Sequence, residues 1–219
     1  MVQCSRHRFL EGVCLERCIV GVQCNYSNIP GNTRQPMLFI IRGKKIMNPS
    51  DPCFSEKIFH HITRFLIGQN ITISTMESCT SGHIASLLTD TEGASSVFRG
   101  SFVTYSNDAK IQCGVPEDVI RIHGVYSRET AQKMAQTCRE RFGTDIGIGV
   151  TGTFGNADPA NADSIPGIVY AAISDKNHTR TQKFELSFHE TRPEYKEAAA
   201  SEIGQWLWEY LQENTEAKV

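Results

Sequence analysis

The chain has 219 residues, 40% of them hydrophobic and 21% charged, with a formal net charge of −2 and a pI near 6.4. That length suits one globular domain with an appendage, or two small domains. Plentiful apolar residues with only 17 Gly and 8 Pro exclude collagen-like, coiled-coil and wholly disordered chains, and the near-neutral charge speaks against a general nucleic-acid binder.

Residues 1–50 carry a net +5, whereas the remainder carries −7, so the first fifty residues are a different kind of chain. Five of the eight cysteines, Cys4, Cys14, Cys18, Cys24 and Cys53, also fall early. Their spacing matches no paired zinc knuckle, and a disulfide framework would need a secretory signal and dense cysteine throughout. The apolar run Met37 to Ile41 is too short for a membrane span or a signal h-region. These features predict a basic, Cys-rich and poorly ordered extension over 1–50, reduced thiols and a cytoplasmic protein without a membrane partner. Organellar targeting by the basic residues 1–10 is the alternative, although Glu11 and Glu16 interrupt a transit-peptide pattern.

From Asp51 onward the pattern is regular. Ile58, Phe59, Ile62, Phe65 and Leu66 recur at helical spacing, with Ser55 placed to cap the start and Gly68 just past the end. Of His60 and His61 on this helix, one is expected exposed and one against the sheet. Ile71 to Met76 reads as a strand, Ile84 to Leu88 as a short helix and Phe102 to Tyr105 as a strand. Ser127 caps a second helix, which buries Ala131, Met134, Ala135, Cys138 and Phe142 before Gly143 stops it. Ile146 to Val150, Ile168 to Ile173 and Thr181 to Phe188 read as strands, with a polar loop from Gly152 to Gly167. A last helix begins near Pro193, with Tyr195, Ala199, Ile203, Trp206, Leu207, Tyr210 and Leu211 inward. This alternation predicts a single three-layer α/β/α domain over 51–213 and a short tail over 214–219.

Three strand-end loops hold small polar groups, where ligands lie in open α/β sheets. In Glu77-Ser78-Cys79-Thr80-Ser81-Gly82 a hydroxyl stands near helix-start amides able to hold an oxyanion or phosphate, or else only caps that helix. In Tyr105-Ser106-Asn107-Asp108-Ala109-Lys110 the lysine can act as base for a serine once desolvated, or is a solvated surface residue. Val150-Thr151-Gly152-Thr153-Phe154-Gly155-Asn156 allows close backbone approach to a ligand but lacks a nucleotide P-loop pattern. Cys79 beside His83 reads as a small packed residue rather than a thiol nucleophile.

Taken together, Glu77-Ser78-Cys79-Thr80 with Gly82, Gly93-Ala94-Ser95 with Phe98, Val103 through Lys110, Gly114-Val115, His123-Gly124 with Ser127, and Thr151-Gly152 resemble the CinA C-terminal family of nicotinamide-nucleotide amidohydrolases. The resemblance begins after residue 50. It implies hydrolysis of the carboxamide of nicotinamide mononucleotide to the acid and ammonia, with no metal or organic cofactor, in a homo-oligomer. Carried over by motif, Ser78 is the nucleophile and Lys110 its base, with Tyr105 and Thr80 near the pair. Thr151, Gly152, Asn107 and Gly82 then belong to the substrate site, and amides from Cys79 to Gly82 receive the oxyanion. Glu77 either orients Lys110 or makes a buried structural hydrogen bond.

Three departures stand out. Ser81-Gly82 replaces two family glycines, and Gly155 to Ser164 replaces a Gly-Pro-x-Gly-Gly stretch with alternating Asn and Asp, which also suggests a hard-cation loop. Arg192 and Lys196 occupy two basic positions four apart, and the acidic domain must hold any phosphate through such local donors. A catalytically silent nucleotide- or protein-binding module, and an amidase for another small amide, are the competing functional readings.

Overall fold

The computed structural model describes residues 53–216; the expectations for the extension and its early cysteines lie outside them. Helix α1 (Phe54–Gln69) leads into strand β1 (Ile73–Glu77), then α2 (His83–Thr89), a 3₁₀ turn at Ala94–Ser96 and β2 (Phe98–Val103). Three helices follow, α3 (Asn107–Gln112), α4 (Glu117–His123) and α5 (Arg128–Phe142). Strands β3 (Ile146–Gly152), β4 (Ile168–Ser174) and β5 (Thr179–Glu185) precede the long helix α6 (Arg192–Glu216).

The sheet order is β2-β1-β3-β4-β5, with β1 parallel to both neighbours and β4 and β5 antiparallel additions. The connection to β2 leaves β1 on one side, and the connection to β3 returns on the other. The carboxyl end of β1 is therefore the crevice where an open α/β sheet receives ligands. One face of the sheet carries α1, α2 and α6 over the main core of Phe59, Ile62, Leu66, Ile148, Ile173, Ile203 and Leu207. The other face carries α5, whose Met134 and Cys138 pack on Met76. At Gly147 and Gly149 a Cβ would lie 2.1 and 2.2 Å from the Ala135 and Ala131 carbonyls, so glycines let α5 sit directly on β3.

The α/β/α architecture agrees with the sequence reading, and several details differ. Cys53, not Ser55, precedes α1; the Ser55 hydroxyl lies fully buried and donates to Glu197 of α6. Gly68 stays inside α1, which Asn70 ends in the left-handed conformation at φ 53°. His60 is exposed against Thr91, and His61 meets the edge of Trp208 of α6 rather than the sheet. Strand β5 stops at Glu185 because its partner β4 begins at Ile168; Leu186 then donates to Gly167 O, and Phe188 is 82% exposed. Trp208 is the buried tryptophan of α6, while Trp206 is half-buried against Phe184. Ser127 and Gly143 cap α5 as expected, although Phe142 is only half-buried. Among the described residues no helix is long and apolar enough to cross a membrane.

Candidate active site

Strand β1 is buried at all five positions and delivers the chain to Ser78, whose amide donates to Val150 O of β3 at 3.0 Å. The turn that follows is built around Glu77. Its fully buried carboxylate accepts the amides of Gly82 at 3.0 Å, Ile84 at 3.2 Å and Ala85 at 2.8 Å, along with the Thr75 hydroxyl at 3.1 Å. These are first-turn donors of α2 with no intrahelical partner, so Glu77 caps that helix and does not orient Lys110. Gly82 takes φ 87° beneath the cap. The Ser81 and His83 amides close the turn on Ser78 O and Thr80 O. The Ser81 and Gly82 amides are thereby taken from the expected oxyanion donors, leaving those of Cys79 and Thr80, which lie against the Cys79 sulfur.

The second wall comes from the end of β2. Thr104 donates its amide to Glu77 O, and Ser106 caps α3 by accepting from Ala109 N at 3.1 Å. What reads as a loop in sequence is thus the start of a helix, and it aims Lys110 inward. Lys110 is 1% exposed; its Nζ donates to Ser78 Oγ at 3.0 Å and to Thr104 O at 2.9 Å. Burial lowers its pKa to about 8, against smaller raising contributions from Cys79 and Asp158. The same burial, with the nearby Glu77 carboxylate, pushes the Cys79 thiol up to about 12, so Cys79 is a packed, inert thiol.

Ser78 and Lys110 open onto a cleft of about 510 Å³. Tyr105, Phe154 and Arg192 form one contacting group in its lining: the Arg192 guanidinium lies 5.4 Å from the Phe154 ring centroid and donates to Tyr105 Oη at 3.0 Å. Tyr105 is 62% exposed and bonds Arg192 rather than the Ser–Lys pair. Asn107, Tyr126, Asp158 and Asn161 form a second group in the lining. The Tyr126 hydroxyl donates to Asp158 Oδ2 at 2.6 Å, Asn161 Nδ2 donates to the same oxygen at 2.6 Å, and Asn107 Nδ2 donates to Asn161 Oδ1 at 2.9 Å.

Of the residues expected in the site, Thr80, Gly82, Thr151 and Lys196 do not line the cleft, whereas Gly152 does. Thr80 is fully buried behind the turn and does not line the cleft. Thr151 is also fully buried, and its hydroxyl donates to Val125 O at 2.9 Å, tying β3 to the α4–α5 link. Gly152 lines the cleft by its backbone, and a Cβ there would strike Ile168 O of β4 at 2.5 Å, so strand packing also requires glycine. Lys196, one turn beyond Arg192, is outside the lining. The Asn/Asp loop is tied to itself and to the α4–α5 link: Asp158 accepts from Tyr126 Oη, Asn161 Nδ2 and Ala160 N, and Asp163 from Tyr126 N. Among the described residues no three His, Cys, Asp or Glu side chains are placed to hold a metal ion. Tyr126 is a site feature that no residue pattern singled out, and Phe154 and the Thr104 carbonyl lie within quoted segments that gave them no role of their own.

The CinA C-terminal domain model matches residues 55–211. A CinA-like protein of Leptospira interrogans is 32% identical over 193 residues, which are 87% of this chain and 46% of that protein. A CinA-like protein of Syntrophotalea carbinolica is 36% identical over 157 residues, 71% of this chain and 37% of its own length. The chain therefore spans less than half of these curated relatives. Among solved structures, the competence/damage inducible protein CihA from Agrobacterium tumefaciens superposes with a TM-score of 0.65 at 30% identity, covering 71% of this chain and 94% of its own. A CinA superfamily protein from Klebsiella pneumoniae reaches a TM-score of 0.67 at 22% identity, a likeness of fold.

Proposed function

The chain belongs to the CinA C-terminal domain family, and from that premise we propose that it hydrolyses the carboxamide of nicotinamide mononucleotide to nicotinate mononucleotide and ammonia, using Ser78 and Lys110. One observation carries the reading: a serine hydroxyl 3.0 Å from a buried lysine amine whose pKa is brought near neutrality.

A neutral lysine nitrogen has two hydrogens and one lone pair. With one hydrogen held by Thr104 O, the neutral amine can turn its lone pair to Ser78 Oγ–H, the reverse of the Nζ-to-Oγ bond that the charged amine makes. Ser78 Oγ attacks the amide carbon while Lys110 takes its proton. The carbonyl oxygen becomes an oxyanion facing the Cys79 and Thr80 amides. Lys110 then returns the proton to the amide nitrogen, the C–N bond breaks and ammonia leaves. Water, deprotonated by the freed Lys110, attacks the acyl-serine; the ester C–O bond breaks, Ser78 Oγ takes the proton back from Lys110, and the acid product leaves and ionises in water. Every group in this sequence belongs to the chain, the substrate or water. Arg192 at the mouth supplies a guanidinium for the substrate phosphate.

A second reading, a different small amide, rests on the segment 156–161, which lines the cleft where the family pattern is replaced. The deciding experiment incubates purified protein with nicotinamide mononucleotide and follows ammonia, with Ser78→Ala and Lys110→Ala as controls. Release that both substitutions abolish is expected. Ammonia no faster than with Ser78→Ala overturns the deamidase reading in favour of a silent module or another amide.

A further inference from the structure

Resting on the reading above, we propose that Asp158 is a specificity-determining residue: its carboxylate selects ligands whose ring bears a fixed positive charge, separating the oxidised pyridinium nucleotide from its uncharged dihydropyridine counterpart.

The carboxylate is built into the cleft wall. Oδ2 accepts from Tyr126 Oη and Asn161 Nδ2, each at 2.6 Å, and Oδ1 accepts from Ala160 N at 2.9 Å. Its own amide is anchored to Ser164 Oγ at 2.8 Å, and Asn161 is held in turn by Asn107. A charge fixed this way does not need to reorganise when a ligand arrives. The donors hold Asp158 below the ordinary carboxylate range, so it is negative wherever Lys110 is neutral.

The charge pattern of the cleft follows. Arg192 and Asp158, of opposite sign, both line it. Once Lys110 gives up its proton to become a base, the attraction it exchanged with Asp158 is lost and the carboxylate faces the cleft without that counter-ion. A molecule with an anion for Arg192 and a fixed cation for Asp158 restores the balance. A quaternary ring nitrogen has no N–H to donate, so it is recognised by field rather than by a hydrogen bond. At separations of several ångströms, partly screened, such a field is worth about a tenfold difference in affinity.

The test measures binding on the Ser78→Ala protein at pH 9, where Lys110 is largely neutral. Calorimetry compares oxidised nicotinamide mononucleotide with its 1,4-dihydro form, which differs in ring charge. The oxidised nucleotide is expected to bind about tenfold more tightly, and Asp158→Asn is expected to narrow the gap to about threefold or less. Tyr126→Phe removes a hydrogen bond from the loop but keeps the charge, and is expected to keep the gap. Equal affinities before substitution, no binding of either nucleotide, or a gap unchanged by Asp158→Asn overturns the proposal. So does a gap that Tyr126→Phe erases as fully as Asp158→Asn, because the loop's shape would then be the cause. Charge selection on Ser78→Ala together with no ammonia from the unsubstituted protein would overturn the deamidase reading alone.

Discussion

Glu77 accepts the Ala85 amide at 2.8 Å across the turn that carries Ser78, so the residue before the proposed nucleophile holds down the helix after it. Two further amides and the Thr75 hydroxyl share the same carboxylate. Replacing Glu77 by Gln turns one acceptor oxygen into an NH₂ donor facing N–H groups inside a buried site. Glu77→Gln is expected to cost about 2–4 kcal/mol, since hydrogen bonds to charged groups are strong and buried donors left unpaired are expensive. Urea unfolding measures the loss. Ammonia release per folded molecule should fall as well, because the turn no longer fixes Ser78 against Lys110.

Ser81 adopts φ 53° in that turn, a left-handed conformation that L-residues other than Asn and Asp adopt at a cost. Its hydroxyl makes only long contacts to Ser78 O at 3.4 Å and Cys79 O at 3.5 Å, which do little to offset the strain. Ser81→Gly is expected to stabilise the protein by about 0.5–1 kcal/mol, the relief of strain exceeding the added freedom of the unfolded chain. A thermal melt showing a lower midpoint would mean that the two weak contacts matter more than the backbone.

Lys110 makes opposite demands on stability and activity. Burial takes its pKa from 10.5 to about 8, so between those values the unfolded chain holds a proton that the folded chain has released. Stability therefore rises with pH across that interval, and the full cost of the depressed amine is present below it. Lys110→Met should show its greatest relative stability near neutral pH, with that advantage falling by about 2 kcal/mol between pH 7 and pH 10. Denaturant titrations at the two pH values measure the difference, and an identical difference at both would show an undepressed amine. The rate should climb with pH through about 8 and level off, as a base must be neutral to act.

What could be read from the chain follows the range of the forces involved. The Ser127 cap, the Gly143 stop and the apolar stripe of α5 are signals within a few residues, and they appear where the sequence places them. Helix α3 is six residues long, too short to show a period, so its start at Asn107 reads as loop. The Ser78–Lys110 contact spans 32 residues, and only the family resemblance anticipates it. Thr151 illustrates the limit: its position at a strand end suggests a ligand contact, but the partner of its hydroxyl is a carbonyl 26 residues upstream. The same holds for Ser55, a good cap by local rules, whose hydroxyl instead meets a helix that begins with Arg192.

Thr151 and Arg192 give a paired prediction, because sequence assigns both to the substrate whereas geometry separates them. Thr151 is fully buried with its hydroxyl on Val125 O, so Thr151→Val should lower stability by about 1–2 kcal/mol through the unpaired carbonyl while leaving KM within about twofold. Arg192 is exposed at the cleft mouth, held over Phe154 and against Tyr105, so its loss should barely alter the melting temperature. Removing a phosphate-binding guanidinium takes away binding common to ground and transition states. Arg192→Ala should therefore raise KM for nicotinamide mononucleotide about tenfold with kcat nearly unchanged, and Arg192→Lys should recover only part of the loss because a point charge cannot grip phosphate in bidentate fashion. Steady-state kinetics with the nucleotide, set beside nicotinamide riboside as the substrate lacking phosphate, distinguishes the cases. An equal rise in KM for both would mean that Arg192 acts on the ring or ribose and not on the phosphate.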